Sequence, residues 1–193
     1  VGDYGAQALV LYNHCRERGW RRLCMDADAF RMLYDYHFSE NRKLWDGHIV
    51  ALTPEQFTRE PGYSVGSVRH QLVHLMNVEQ AWFSGLRGME DAEWVDAAAY
   101  DDRDKLRARW DGVEREIRDY LAALSDKMLF SIPIAEPEED RGLTVWQVLL
   151  QVVNHGTDHR AQVLRQLHDL GVQTGAQDFI FYVYEQQNPP EKG

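Results

Sequence analysis

The sequence predicts an all-α fold, a four-helix bundle, and three observations carry that prediction. Apolar residues recur at intervals of three and four through four long segments; capping patterns open segments where that spacing begins; and glycines or prolines close them. Length and composition agree: 193 residues with 44% hydrophobic side chains suit one domain with a proper core.

The first segment spans Asp26 to Ala51, with Phe30, Leu33, Tyr34, His37, Leu44, Trp45, His48 and Ile49 on one stripe. Thr53, Pro54 and Gln56 then supply an N-cap, a proline at the first helical position and the third-position glutamine of a capping box, which predicts a short helical turn. Pro61 and Gly62 interrupt, and Ser64 or Ser67 caps a second long helix through SVRHQLVHLMNVEQAWFSGL, ending at Gly85 and Gly88. Residues 89–100 read as a loop. Leu106, Trp110, Val113, Ile117, Tyr120, Leu121 and Leu124 form a third helical stripe that no strand could carry. Residues 127–143 read as an irregular connection with a short extended piece at Leu129 to Ile132. Thr144 and Gln147 form a second capping box, which launches a helix that runs to Leu170 and stops at Gly171. The aromatic tail DFIFYVYEQQNPP is expected to pack back on the bundle.

Charge and motifs narrow the function classes. A net charge of −10 repels phosphate backbones and anionic lipid, which argues against nucleic acid or a membrane as partner. The chain has no apolar run long enough to span a bilayer, and its start lacks a signal-peptide pattern. Two cysteines, Cys15 and Cys24, form no CxxC pair and fit a reducing compartment, so the expected location is the cytoplasm. Residues 1–24 share little pattern with the rest of the chain and read as an N-terminal extension, either a packed extra helix or a segment the domain can do without. A Gly-rich phosphate loop and an HExxH motif are absent.

The histidines carry the remaining signal. His155 and His159 lie one turn apart on the fourth long helix, and His70 and His74 repeat that spacing on the second. Val148, Val152, His155, His159 and Val163 continue one apolar stripe, so both histidines face inward; His74 does likewise with Leu75, Val78 and Trp82. On facing helices of a bundle such pairs can converge on one divalent cation. His70, near its helix start, can stand exposed. Tyr34 and His37 can line such a pocket, with a plain core role ahead of it, and Trp82, Trp110 and Trp146 read as core.

These residues bring a resemblance with them. The segments SVRHQLVHLMNVEQAWFSGL and VVNHGTDHRAQVLRQLHDLG, preceded by MDADAFRMLYDYHFSENRKLWDGHIVAL, resemble the DinB family of small four-helix-bundle metalloproteins over about residues 25–185, leaving 186–193 as a tail. The sharpest features are His74 eight residues before Trp82 and the run Asn154, His155, His159, Arg160. The resemblance implies a four-helix bundle of DinB/YfiT-like type with extra short helices, and a nickel or zinc ion, with iron as a further candidate, held by His74, His155 and His159. His70 has no counterpart in that pattern. Four histidines would make a closed structural site, whereas three leave a position for water or substrate, and three is the reading favoured.

The resemblance also implies an activity: a metal-dependent enzyme acting on a small molecule with an activated thiol or water as nucleophile, of thiol S-transferase or hydrolase type, the thiol being a low-molecular-weight cosubstrate. The alternative is a non-catalytic metal- or ligand-binding stress-response protein. Asn154 and Arg160 could fix imidazole tautomers or hold a substrate carboxylate, although an arginine there reads first as a surface ion pair. Glu79, five residues after His74, either reaches the residues behind the ligands or pairs at the surface. Broad apolar helix faces suggest a homodimer.

Overall fold

The computed structural model describes residues 25–89 and 93–187. The 1–24 extension and the end of the tail lie outside the described residues. Among those described, six α-helices form: α1 Ala27–Gly47, α2 Pro54–Thr58, α3 Val68–Leu86, α4 Arg103–Ala123, α5 Val145–Asp169 and α6 Phe179–Gln187.

Of the two serines offered, Ser67 caps α3, and two further caps open helices where none was anticipated: Asp26 accepts from Ala29 N, and Asp102 from Asp104 N and Lys105 N. The Thr53 and Gln56 capping box forms on α2, and at α5 the Gln147 side chain accepts from Thr144 N at 2.9 Å. Two boundaries differ from expectation. The first helix ends at Gly47, not Ala51, and Ile49–Ala51 tighten into a 3-10 turn, a common way for a helix end to satisfy its last carbonyls. Of the extended piece expected at Leu129 to Ile132, the first half is instead a 3-10 turn at Met128–Phe130, with Ser131 N bonded to Met128 O, and Ser131 itself is extended. The turn closes its hydrogen bonds locally while burying Leu129, and the extended Ser131 accepts from Val145 N at 3.0 Å.

Cross-helix bonds give the topology. Arg31 with Leu121, Asp35 with Arg118 and Arg42 with Asp111 make α1 and α4 antiparallel. Tyr34 with Leu149 and Asn41 with Arg160 make α1 and α5 parallel, while Gln71 with Gln162 and His74 with His155 make α3 and α5 antiparallel. Glu79 with Trp110 and Arg87 with Glu116 make α3 and α4 parallel. The four long helices therefore run up, down, down, up, and neighbour one another in the ring α1, α4, α3, α5. Parallel neighbours need a crossover. Residues 87–102 return the chain along α3, a distance of about 28 Å for 19 residues at 1.5 Å each. A 3-10 turn at Ala97–Ala99 shortens that loop.

Phe30, Tyr34, Leu44, Leu72, Leu75, Met76, Phe83, Leu106, Ile117, Val148, Leu149, Val152 and Leu167 fill the centre. Trp110 is buried, and Trp82 and Trp146 are half-buried against that core. The tail packs back as expected: Tyr36 meets Phe179 and Tyr182 edge-on, and its hydroxyl donates to Gln177 O at 2.7 Å. Among the described residues, no helix is long and apolar enough to cross a membrane.

Candidate metal centre

Where α3 packs against α5, three imidazoles meet. His74 Nε2 and His155 Nε2 are 3.2 Å apart, and the rings of His155 and His159 stand 4.3 Å apart by centroid, those of His74 and His159 4.6 Å. One nitrogen from each lies within 4.8 Å of the others, and among the described residues no carboxylate belongs to the group. Ligands at about 2.0–2.1 Å on tetrahedral axes stand about 3.3 Å apart, so the His74 and His155 nitrogens already have the separation a shared cation requires. Imidazole-only donors suit zinc, nickel or iron and not the oxygen-seeking calcium or magnesium.

The third imidazole is held by a residue that the sequence reading missed. His159 Nδ1 is 2.6 Å from Gln71 Oε1, and the Gln71 amide donates to Ser64 Oγ at 2.9 Å and Gln162 Oε1 at 3.2 Å. With its NH2 committed there, Gln71 can only accept from His159. The proton therefore sits on Nδ1, and Nε2 keeps its lone pair for a metal. The available signal was a polar side chain on the buried stripe of α3, one turn before His74.

Burial and mutual repulsion keep these imidazoles neutral. Burial, then the nearby His159 and His74, push His155 down to about 4. His74 is lowered by burial and by His159, and His159 by burial. Neutral imidazole is the ligating form.

Behind the site lies a buried polar chain. Trp110 Nε1 donates to Glu79 Oε2 at 2.7 Å, and Glu79 Oε1 meets His37 Nε2 at 2.7 Å. Arg160 Nη1 donates to His37 Nδ1 at 2.9 Å and to Asn41 Oδ1 at 3.1 Å. Because Arg160 only donates, His37 must accept at Nδ1 and carry its proton on Nε2, toward the carboxylate. Burial lowers the His37 pKa, which agrees with a neutral ring. Glu79 and Arg160 are each only 1% exposed, and their opposite charges balance across His37. The His37 ring lies directly on the backbone of α5 at Gly156, where an added Cβ would stand 2.2 Å from Cε1.

The structure thus separates the sequence candidates. His74, His155 and His159 come together. Arg160 is not a surface ion pair, and Glu79 pairs inside the bundle and not at the surface; both are interior, because the residues after His159 and before Gln80 turn toward the bundle centre. Asn154 faces solvent and bonds to none of the three histidines, being one residue, about 100° of helix rotation, from His155. His70 stands apart from the trio, its Nδ1 at 2.9 Å from Ser67 Oγ and 3.1 Å from Glu60 Oε1. Tyr34 is core and bonds to Leu149 O.

The DinB family matches residues 25–192. This chain belongs to the DinB family. One relative is the protein called DinB of Bacillus subtilis (strain 168), 26% identical over 170 residues, covering 81% of this chain and 94% of the relative. The family match takes in every element from α1 to α6, and so includes all three histidines and the buried chain behind them.

Proposed function

We propose that this DinB-family chain is a metal-dependent enzyme that holds one divalent cation, nickel or zinc with iron as the further candidate, through His74, His155 and His159. The observation that carries the reading is the convergence of three neutral imidazoles with no carboxylate among them, His74 and His155 being partly exposed and His159 buried. A cation bound by neutral ligands keeps its full charge, and supplies the lowering of a thiol or water pKa and the polarisation of a carbonyl. The protein's own side chains do the rest. Gln71 orients His159; burial keeps the imidazoles unprotonated; and the Glu79, His37 and Arg160 chain fixes α5 against α1 and α3. Three protein ligands leave room for a nucleophile, so the reaction is transfer of a low-molecular-weight thiol to a small electrophile, or hydrolysis.

An acidic surface supports small molecules rather than nucleic acid as partners, and a reducing compartment suits the thiol. A homodimer is part of the same proposal, supported by the exposed Ile180 and Phe181 on α6. The test is an assay of the metal-loaded chain with glutathione, bacillithiol or mycothiol and an electrophile, alongside ester and amide hydrolysis. Metal-dependent turnover in either supports the enzyme. Tight metal binding with no turnover in any assay leaves the non-catalytic binder.

A further inference from the structure

The crossover between α3 and α4 is held against the metal centre. Asn77, buried on α3, donates to Val95 O at 2.8 Å and accepts from Val95 N at 3.2 Å, which fixes the returning chain within a turn of His74. Between them lies a cavity of about 360 Å3, walled by Val65, Val73, His70, Trp94 and Asp96, with His74 itself part of the wall. That volume suits a small ligand.

Trp94 gives the cavity its character. The ring is 60% exposed although its backbone neighbour is pinned, and it stands edge-on to the His74 imidazole with centroids 5.9 Å apart. A large aromatic kept in solvent beside a metal ligand buries little by itself and presents a flat apolar wall to whatever enters. Val65 and Val73 add apolar surface, and Asp96 is the one charged side chain lining the space among the described residues, with no lysine or arginine to hold an anion. His70 supplies a polar contact. The Glu60 carboxylate only accepts, so the His70 proton is on Nδ1, and Nε2 keeps a lone pair with no partner among the described residues.

We propose that this cavity is a substrate subsite for a flat, uncharged organic group, an aromatic or other planar ring stacked on Trp94, carrying a hydroxyl or N–H donor for His70, with its reacting atom directed to the metal. The inference rests on the three-histidine metal reading. It makes Trp94 the residue that sets substrate class and leaves the metal ligands as the residues that set reactivity. An anionic ring is disfavoured because Asp96 faces it.

The experiment titrates the cobalt(II)-loaded full chain with imidazole and with 4-phenylimidazole, following the cobalt visible spectrum. Both compounds bring the same donor nitrogen, and only the second brings a phenyl ring. The expected result is that 4-phenylimidazole binds about tenfold tighter or better. Trp94→Ala removes most of that gain while imidazole affinity stays within about twofold, since an exposed side chain contributes little to the fold. Trp94→Phe keeps most of the gain, and a carboxylate on the phenyl ring cancels it. Equal affinities in the wild type, or a gain untouched by Trp94→Ala, overturn the subsite while leaving the metal centre standing. Failure of imidazole to perturb bound cobalt, or of cobalt to bind, removes the open metal site and the subsite with it.

Discussion

Gly156 sits inside a helix, where alanine is ordinarily favoured by about 0.8–1 kcal/mol, so Gly156→Ala is expected from helix propensity alone to stabilise the protein. The structure predicts the reverse. An alanine Cβ would lie 2.2 Å from His37 Cε1 and 2.7 Å from Nδ1. An ordinary carbon contact is about 3.5 Å or more, so the ring must retreat by over about 1 Å. It is held at 2.7 Å by Glu79 and at 2.9 Å by Arg160, and a retreat of that size stretches one bond or both beyond hydrogen-bonding range. Overpacking costs about 1–3 kcal/mol, and stranding a buried partner about 1–3 kcal/mol more. Set against the propensity gain, the net loss is about 3 kcal/mol, or about 6–12 °C in Tm for a chain of this size. Urea unfolding of the metal-free protein measures it. The double variant Gly156→Ala with His37→Ala should be less destabilised than the sum of the two single variants, because the first clash then has no target. A Gly156→Ala variant as stable as wild type, or additive losses in the cycle, would refute the proposed contact between His37 and α5.

The same geometry yields three other outcomes. Gln71→Leu leaves the His159 Nδ1 proton without an acceptor and should weaken metal binding about 10–100-fold in calorimetric titration, whereas Gln71→Glu, which still accepts, should retain it. Arg160→Leu strips the donor from His37 and Asn41 and leaves Glu79 uncompensated, so a loss of about 3–5 kcal/mol is expected in urea unfolding, with little rescue by lysine, which lacks the planar fork. His155 is held down at about 4 in the fold against the usual 6.5, and His74 and His159 are lowered as well. The unfolded chain therefore binds more protons between those limits, and the metal-free protein should be constant in this contribution above pH 6.5 and lose stability as pH falls toward 4. His155→Gln should flatten that slope in pH-dependent unfolding.

Periodicity and caps were enough to read the bundle from sequence, since the Ser67 cap, two capping boxes and inward stripes are local signals that tertiary packing reinforced. The ends of helices were less readable. Ile49 to Ala51 keep the apolar spacing of α1 but adopt a tighter turn, and spacing cannot distinguish the two. The up, down, down, up order was hidden because it depends on where a crossover runs, not on any segment's composition. At the metal centre, His74, His155 and His159 announced themselves as polar residues on apolar stripes. Gln71 and Arg160 break the apolar pattern in the same way but draw less notice, because surface glutamines and arginines are common on helices. Gly156 was the overlooked clue: a glycine in a helix interior, between two candidate ligands, implies a close approach, here by His37.

The central claim is that three histidines on two helices form one open metal site. Elemental analysis of the full chain, purified without a histidine tag under metal-replete conditions, tests it most directly, with His74→Ala, His155→Ala and His159→Ala compared against His70→Ala. About one equivalent of metal in the wild type, lost in the three variants and kept in the fourth, is the predicted result. Loss in all four would make His70 a fourth ligand and the site closed and structural; a wild type carrying no metal would contradict the claim outright.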